Sequence, residues 1–287
     1  MHLQNAYYGH ARALARWAGV QDQLPIWGYL QHGFNTGTGF TPRDPPRPVP
    51  ALVWNRRNLL AARERRLNAT AIGAPFVYLA AADRSPTTSP QRGTMAYPFH
   101  AWELHEATGG HARYAHDLAE REGTASTTVC LYWLEYQDPD VREVYARAGF
   151  RVISHGHRTD ETFLDRLVAE VADHQRVVSN DLGTAMWYAG YLGKEIEIHG
   201  EPMALSGLDP EAVREERRQR WPAMFEGAVA GAVARQLAEE ELGHAYRREP
   251  EELRRILGWT GTRRLLGRPV ATVTRAIQVA RKRRQGW

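Results

Sequence analysis

Short apolar runs alternate along this chain with amphipathic stretches, and the alternation predicts strands separated by helices. Tyr7 to Gly19 reads as a helix closed by glycine, with Leu14, Trp17 and Ala18 on its apolar face. Ile26 to Leu30 is a short apolar run ending at Gln31-His32-Gly33, and the Gly- and Pro-rich residues 34–50 read as a loop. Ala51 to Trp54 predicts a buried strand and Asn55 caps a helix from Arg56 to Leu67. Ala69 to Leu79 predicts a further strand, broken at Gly73 and Pro75. The Pro/Ser/Thr stretch Asp83 to Gln91 reads as a linker. Beyond it come strand Thr94–Tyr97, helix Gly110–Glu122, strand Thr127–Leu134, helix Pro139–Ala148 and strand Phe150–Ser154. Helix Thr159–Ala172, strand Arg176–Ser179, helix Gly183–Leu192 and strand Glu195–His199 follow, and past Pro202 the pattern turns helical to the end.

Strands separated by helices of about 10 to 15 residues imply parallel sheets with right-handed crossovers. The expected fold class is therefore α/β. Residues 1–92 form one expected domain, residues 93–204 a second, and residues 205–287 a helical C-terminal region ending in a basic amphipathic tail.

Composition narrows the picture. With 43% hydrophobic and 24% charged residues, the 287-residue chain is expected to bury an ordinary core, which excludes extended disorder and fibrous architectures. No apolar run approaches the roughly 20 residues that cross a bilayer, and the first residues lack a basic segment followed by an apolar one. The lone Cys130, inside the apolar run Val129 to Tyr132, forbids an internal disulfide and reads as a core residue. One cysteine fits a reducing, cytoplasmic compartment.

The net charge of +4 is unevenly spread. From Thr260 to Trp287 there are eight basic residues and no acid, so the remainder carries 4 − 8 = −4. Apart from Trp287 the tail has no aromatic residue to interleave with its charges, and nucleic acid is not an expected partner. On a helical wheel Arg268, Arg275 and Lys282 share one side while Val270, Val273, Ile277 and Ala280 cluster opposite. Two readings stay open: a terminal helix packed on its own domain, or a peripheral contact with an anionic membrane, at its inner face, through residues 263–284.

In an open parallel sheet, ligands bind beyond the carboxyl ends of the strands. Three predicted strands end in His-Gly: His32-Gly33, His155-Gly156 and His199-Gly200. Each imidazole could move a proton or face a phosphate, and each could equally be structural. The densest signal is Val177 to Ala185, an apolar strand running through Ser179, Asn180 and Asp181 to Gly183 and Thr184 at a helix start. Such a start is an anion site as well as an ordinary cap. Lys194, the sole lysine ahead of the tail, tilts the reading toward phosphate. Asp138-Pro139-Asp140 resembles a metal-holding acid pair but reads better as a helix start, and the single Glu241-(x)2-His244 pair reads as a solvated face; no metal is expected. No Walker loop, nucleophile elbow or dinucleotide fingerprint is present in the sequence.

The run Ser-Asn-(x)2-Gly-Thr-Ala at Ser179 to Ala185, the aromatic helix after it, Leu192-Gly193-Lys194 and the following strand resemble the donor-binding half of GT-B glycosyltransferases. The likeness is to bacterial surface-polysaccharide enzymes in particular. Tyr29-Leu30-Gln31-His32-Gly33 is similar to the His-Gly loop of capsule and teichoic-acid type transferases. Trp54-Asn55-Arg56 and Ile72-Gly73-Ala74-Pro75 sit as the first half of such a fold would. The resemblance covers roughly residues 6 to 204 and implies two Rossmann-like domains in a GT-B arrangement. It further implies a nucleotide-sugar donor as co-substrate, no separate cofactor, and a glycan or small-molecule acceptor. Carried onto this chain, Ser179, Asn180, Gly183 and Thr184 would hold the donor phosphates, with His155, His157 and Arg158 beside them and Glu201 reaching ribose or sugar hydroxyls. His32 would be the base for the acceptor hydroxyl, with His100 the alternative base or a phosphate contact. A nucleotide-sugar epimerase or hydrolase on the same scaffold, and a noncatalytic nucleotide- or glycan-binding protein, are the alternatives.

Overall fold

In the computed structural model, residues 3–21, 24–36, 40, 49–82, 93–100, 107–205, 209–267, 269 and 272 are described. The linker expected at Asp83 to Gln91 lies outside these residues, as does the amphipathic tail beyond Pro269, apart from Thr272. The chain divides into two units. The first comprises residues 1–84, 159–161 and 239–287, and the second residues 85–158 and 162–238.

The first unit opens with a 3-10 turn, Leu3–Gly9, leading into α1 (His10–Trp17). Strands β1 (Tyr29–Leu30), β2 (Ala51–Val53) and β3 (Ala69–Ala71) then build a parallel sheet in that order. Asn5 extends the ladder beyond β1: its amide donates to the Gly28 carbonyl at 2.8 Å and its side-chain oxygen accepts the Leu30 N–H at 2.9 Å. Asn55 caps α2 (Arg56–Glu64) by accepting the Asn58 N–H, as its residue type predicts.

The strand expected over Ala69 to Leu79 is corrected. It stops at Ala71, Gly73 turns the chain at φ +77°, and Pro75 opens helix α3 (Pro75–Ala82). Phe76, Val77, Tyr78 and Leu79 are all buried. A run buried on every side has no period by which strand and helix can be told apart.

The second unit is laid over the parallel strands β4 (Thr94–Ala96), β6 (Thr127–Cys130), β7 (Arg151–Ile153), β8 (Arg176–Ser179) and β9 (Glu195–Ile198). Between β4 and β6 come β5 (Ala107–Gly109) and α4 (His111–Glu122). After β6 follow α5 (Trp133–Gln137) and α6 (Pro139–Arg147), and after β7 comes α7 (Phe163–Ala172). Helix α8 (Thr184–Tyr191) links β8 to β9, and β10 (Ala204–Leu205) pairs antiparallel with β5, a small sheet absent from the sequence reading. The expected strand Thr127–Leu134 is also corrected, because it ends at Cys130 and Trp133 begins α5. One core of the unit gathers Ala96, Val129 and Val178 from the strands with Tyr114, Leu118, Tyr145 and Phe150.

Further helices are α9 (Pro210–Arg220), α10 (Gly231–Glu241) and α11 (Pro250–Ile256), and residues 261–267 are also helical. The chain passes from the second unit back to the first within α10, so the expected C-terminal region 205–287 is shared between the two. In the first unit the Asn55 amide donates to the Glu241 carbonyl at 2.6 Å, and the Ala74 N–H to the Leu242 carbonyl at 2.8 Å. Gly243, at φ +69°, lies so close to the Trp54 carbonyl that a Cβ would stand 2.0 Å from it.

Candidate functional site

The five strands of the second unit lie in the order β7-β6-β4-β8-β9. Ranked by position in the chain, that is third, second, first, fourth, fifth. The connection therefore reverses direction between β4 and β8, and the loops that leave their carboxyl ends part to form a crevice. Beyond β4 the chain runs Tyr97-Pro98-Phe99-His100, and beyond β8 it runs Asn180 to Gly183.

Asn180, fully buried, ties these loops together. Its side-chain oxygen accepts the Phe99 N–H at 2.7 Å and its amide donates to the Glu201 carbonyl at 2.8 Å. Both ends of the side chain are engaged, which fastens the Phe99 and Glu201 loops to the end of β8. Ser179 is likewise buried and its hydroxyl accepts the Asp181 N–H at 3.3 Å.

Asp181, which the sequence reading left without a role, accepts the Leu182 N–H at 2.7 Å and forms a buried ion pair with Arg217 of α9. The same guanidinium stands 4.9 Å from the centroid of the Phe99 ring. Gly183 caps α8 in extended conformation, with no side-chain hydrogen bond to the cap, and Gly183, Thr184 and Ala185 are only half-buried. The first turn of a helix has amides without intrahelical acceptors. Gly183 has no special φ to satisfy; a Cβ there would touch the Phe99 ring at 3.8 Å.

From Phe99 an aromatic row crosses the strand ends. Phe99 neighbours His100 (6.2 Å, 20°), and His100 stacks on Tyr132 at 4.1 Å and 17°. Tyr132 adjoins Trp133 at 6.0 Å, and Trp133 meets the exposed His157 edge-to-face at 4.3 Å. Tyr132 and Trp133 escaped the sequence reading because they stood in a run taken for strand. The signal that could have found them is an aromatic just past each of two neighbouring strands.

His155 is placed differently from the expectation. It is buried, its Nε2 pairs with the Tyr97 hydroxyl at 2.9 Å, and its ring packs edge-on to Phe163. Nδ1 has no partner. Burial lowers its pKa from 6.5 to about 4, so it is neutral near pH 7 and does not meet a phosphate as a cation. Its carbonyl is held by Arg166 at 2.9 Å, beside a cavity of about 310 Å³ along β7 and α7. Arg158 is half-buried in the loop that follows. The Glu201 side chain is exposed and paired with the equally exposed Arg113 of α4.

Lys194 does not reach toward this site. Buried, it donates to the Ala172 and His174 carbonyls at 3.1 and 2.6 Å and so closes the C-terminal end of α7. Asp138 is the exposed cap of α6, its carboxylate accepting the Asp140 N–H at 2.9 Å, which is the helix-start reading. Among the described residues no group of three or more His, Cys, Asp or Glu could hold a metal ion.

His32 belongs to the first unit, at the carboxyl end of β1. The rings of Tyr29, Tyr7 and His10 surround it at 5.3, 5.8 and 6.3 Å, the last nearly parallel. The preceding Gln31 fixes its backbone by accepting the Trp54 N–H at 3.0 Å and donating to the Gly33 carbonyl at 3.0 Å. His10 is fully buried, neither ring nitrogen has a partner, and burial lowers its pKa to about 3. Arg57 anchors the loop after His32 through the Asn35 and Thr36 carbonyls and the Glu241 carboxylate.

Compared with protein-family models and with curated protein sequences, the chain matches none.

Proposed function

We propose that the protein is a metal-independent glycosyltransferase that takes a sugar from a nucleotide-activated donor to a glycan or small-molecule hydroxyl. The observation that carries the reading is the strand reversal between β4 and β8, which sets the start of α8 at Gly183 beside Phe99, the first ring of the aromatic row. Amides at a helix start suit a pyrophosphate, and flat rings beside them suit a nucleobase. The carboxylate at this strand end, Asp181, is neutralised by Arg217, so it does not repel the phosphates.

In the proposed reaction the acceptor oxygen forms a bond to the anomeric carbon while the bond from that carbon to the donor phosphate oxygen breaks. The nucleotide leaves with the electron pair, its new charge met by the amides at Gly183 and Thr184. The acceptor proton passes to His100, which lies in the same unit as that helix start.

The test is calorimetric titration with UDP, CMP, CDP, GDP and dTDP, followed by turnover with a panel of acceptors. One nucleotide is expected to bind, and Thr184→Glu, which puts a negative charge into the helix's first turn, to weaken it by roughly tenfold or more. His100→Ala should lower turnover by about 10² to 10⁴. Absence of uptake for every nucleotide sinks the reading, while uptake without turnover on any acceptor leaves a binding protein.

A further inference from the structure

Residues 261–267 form a helix of the first unit whose orientation is set from one side only. The Trp27 indole donates to the Arg263 carbonyl at 3.2 Å, and the Arg263 guanidinium lies 5.8 Å from the same ring. Just ahead, the Trp259 indole donates to the Pro25 carbonyl at 3.2 Å. Gly267 is buried, and a Cβ on it would stand 3.7 Å from Pro25 and from Trp27. Residues 261–266, by contrast, are all exposed.

Among them are Leu265, 78% exposed, and Leu266, 54% exposed, directly after Arg263 and Arg264. Of the described residues, only Leu60 and Val233 are other large apolar side chains with comparable exposure, and neither has a large apolar neighbour in sequence that shares it. This helix turns both leucines outward. The sequence around it is one-sided in charge as well. Thr260 to Trp287 has eight basic residues and no acid.

We propose that this helix is a docking surface for an anionic lipid bilayer, with Leu265 and Leu266 entering the interface and Arg263 and Arg264 meeting lipid phosphates. The pairing of apolar and cationic groups selects this partner over the others. A nucleic acid would engage the arginines but leave the leucines in water. A second copy would bring like-charged segments together. A bilayer with acidic headgroups satisfies both at once. The inference stands apart from the proposed reaction and has its own readout.

The experiment is co-sedimentation of the full chain with phosphatidylcholine vesicles and with vesicles that also contain phosphatidylglycerol, at low and molar salt. Binding is expected only to the anionic vesicles and to fall at molar salt. Each basic residue near such a surface contributes about a fivefold factor, so R263Q/R264Q should lower the partition roughly 25-fold. L265S/L266S should lower it by about tenfold or more. The two leucines are exposed, so unchanged far-ultraviolet dichroism and unchanged melting are expected in L265S/L266S. Equal binding to neutral vesicles, no binding to either, or binding indifferent to the leucine change overturns the proposal. So does a doubled mass in light scattering that L265S/L266S abolishes without any vesicle uptake, which would make the patch a contact between copies.

Discussion

The side-chain oxygen of Asn180 accepts the backbone N–H of Phe99 at 2.7 Å, joining the carboxyl ends of the two strands between which the sheet reverses its order. The other end of the same side chain holds the Glu201 carbonyl. Removing it by Asn180→Ala leaves two polar backbone groups without partners and should cost about 2 to 4 kcal/mol in urea denaturation. The Phe99 loop would loosen with it, so nucleotide affinity should fall together with stability. A variant that loses affinity at undiminished stability would return Asn180 to direct ligand contact.

Asp181 and Arg217 make a second tie across the crevice, and here the charge is what matters. Arg217→Met strands a buried carboxylate and should destabilise the protein by about 3 to 5 kcal/mol. The double change D181N/R217M removes both charges and should recover much of that loss. A double-mutant cycle measures the coupling. If the double variant is as unstable as the sum of the singles, the ion pair is not the source of the effect.

Much of this fold was readable from local chemistry. Strand Arg176–Ser179 lies where the apolar run placed it, and Asn55 and Asp138 cap the helices they were expected to cap. What escaped was non-local. Phe76 to Leu79 were taken for strand because their burial comes from neighbours on several sides, which erases periodicity, and Trp133 and Leu134 because they continue the apolar run of β6. The site divides in the same way. Gly183 and Thr184 were legible as a helix start, whereas the engagement of Asn180 depends on a backbone amide 81 positions away. No local pattern encodes such a partner.

The buried histidines give stability a defined dependence on pH. For His155 the folded pKa of about 4 lies below its ordinary 6.5, so the folded state binds its proton less readily than the unfolded chain does. The stabilising difference is complete above 6.5, is lost as pH falls through the interval to about 4, and changes no further below it. Linkage gives a loss of about 2 kcal/mol between about pH 7 and pH 5 from this residue alone. His10, lowered to about 3, adds a loss of the same sign that continues further down. Urea denaturation at the two pH values should show the slope, and His155→Asn should flatten it by His155's share. A slope identical in that variant would mean that the ring is solvated in solution.

Lys194 offers the sharpest separation of scaffold from site. Its residue type and its place after an aromatic helix suggest a phosphate ligand, yet its ammonium sits on the Ala172 and His174 carbonyls. Lys194→Met keeps the aliphatic stem and removes both hydrogen bonds, leaving the end of α7 without them. The expected loss is about 2 kcal/mol, from carbonyls that cannot find water where the side chain was buried. Nucleotide affinity measured well below the melting temperature should stay within about twofold of the parent, because a change this small lies under 0.5 kcal/mol. A tenfold drop in affinity with little change in melting would instead place the ammonium on the donor phosphates, and the helix-capping role would have to be given up.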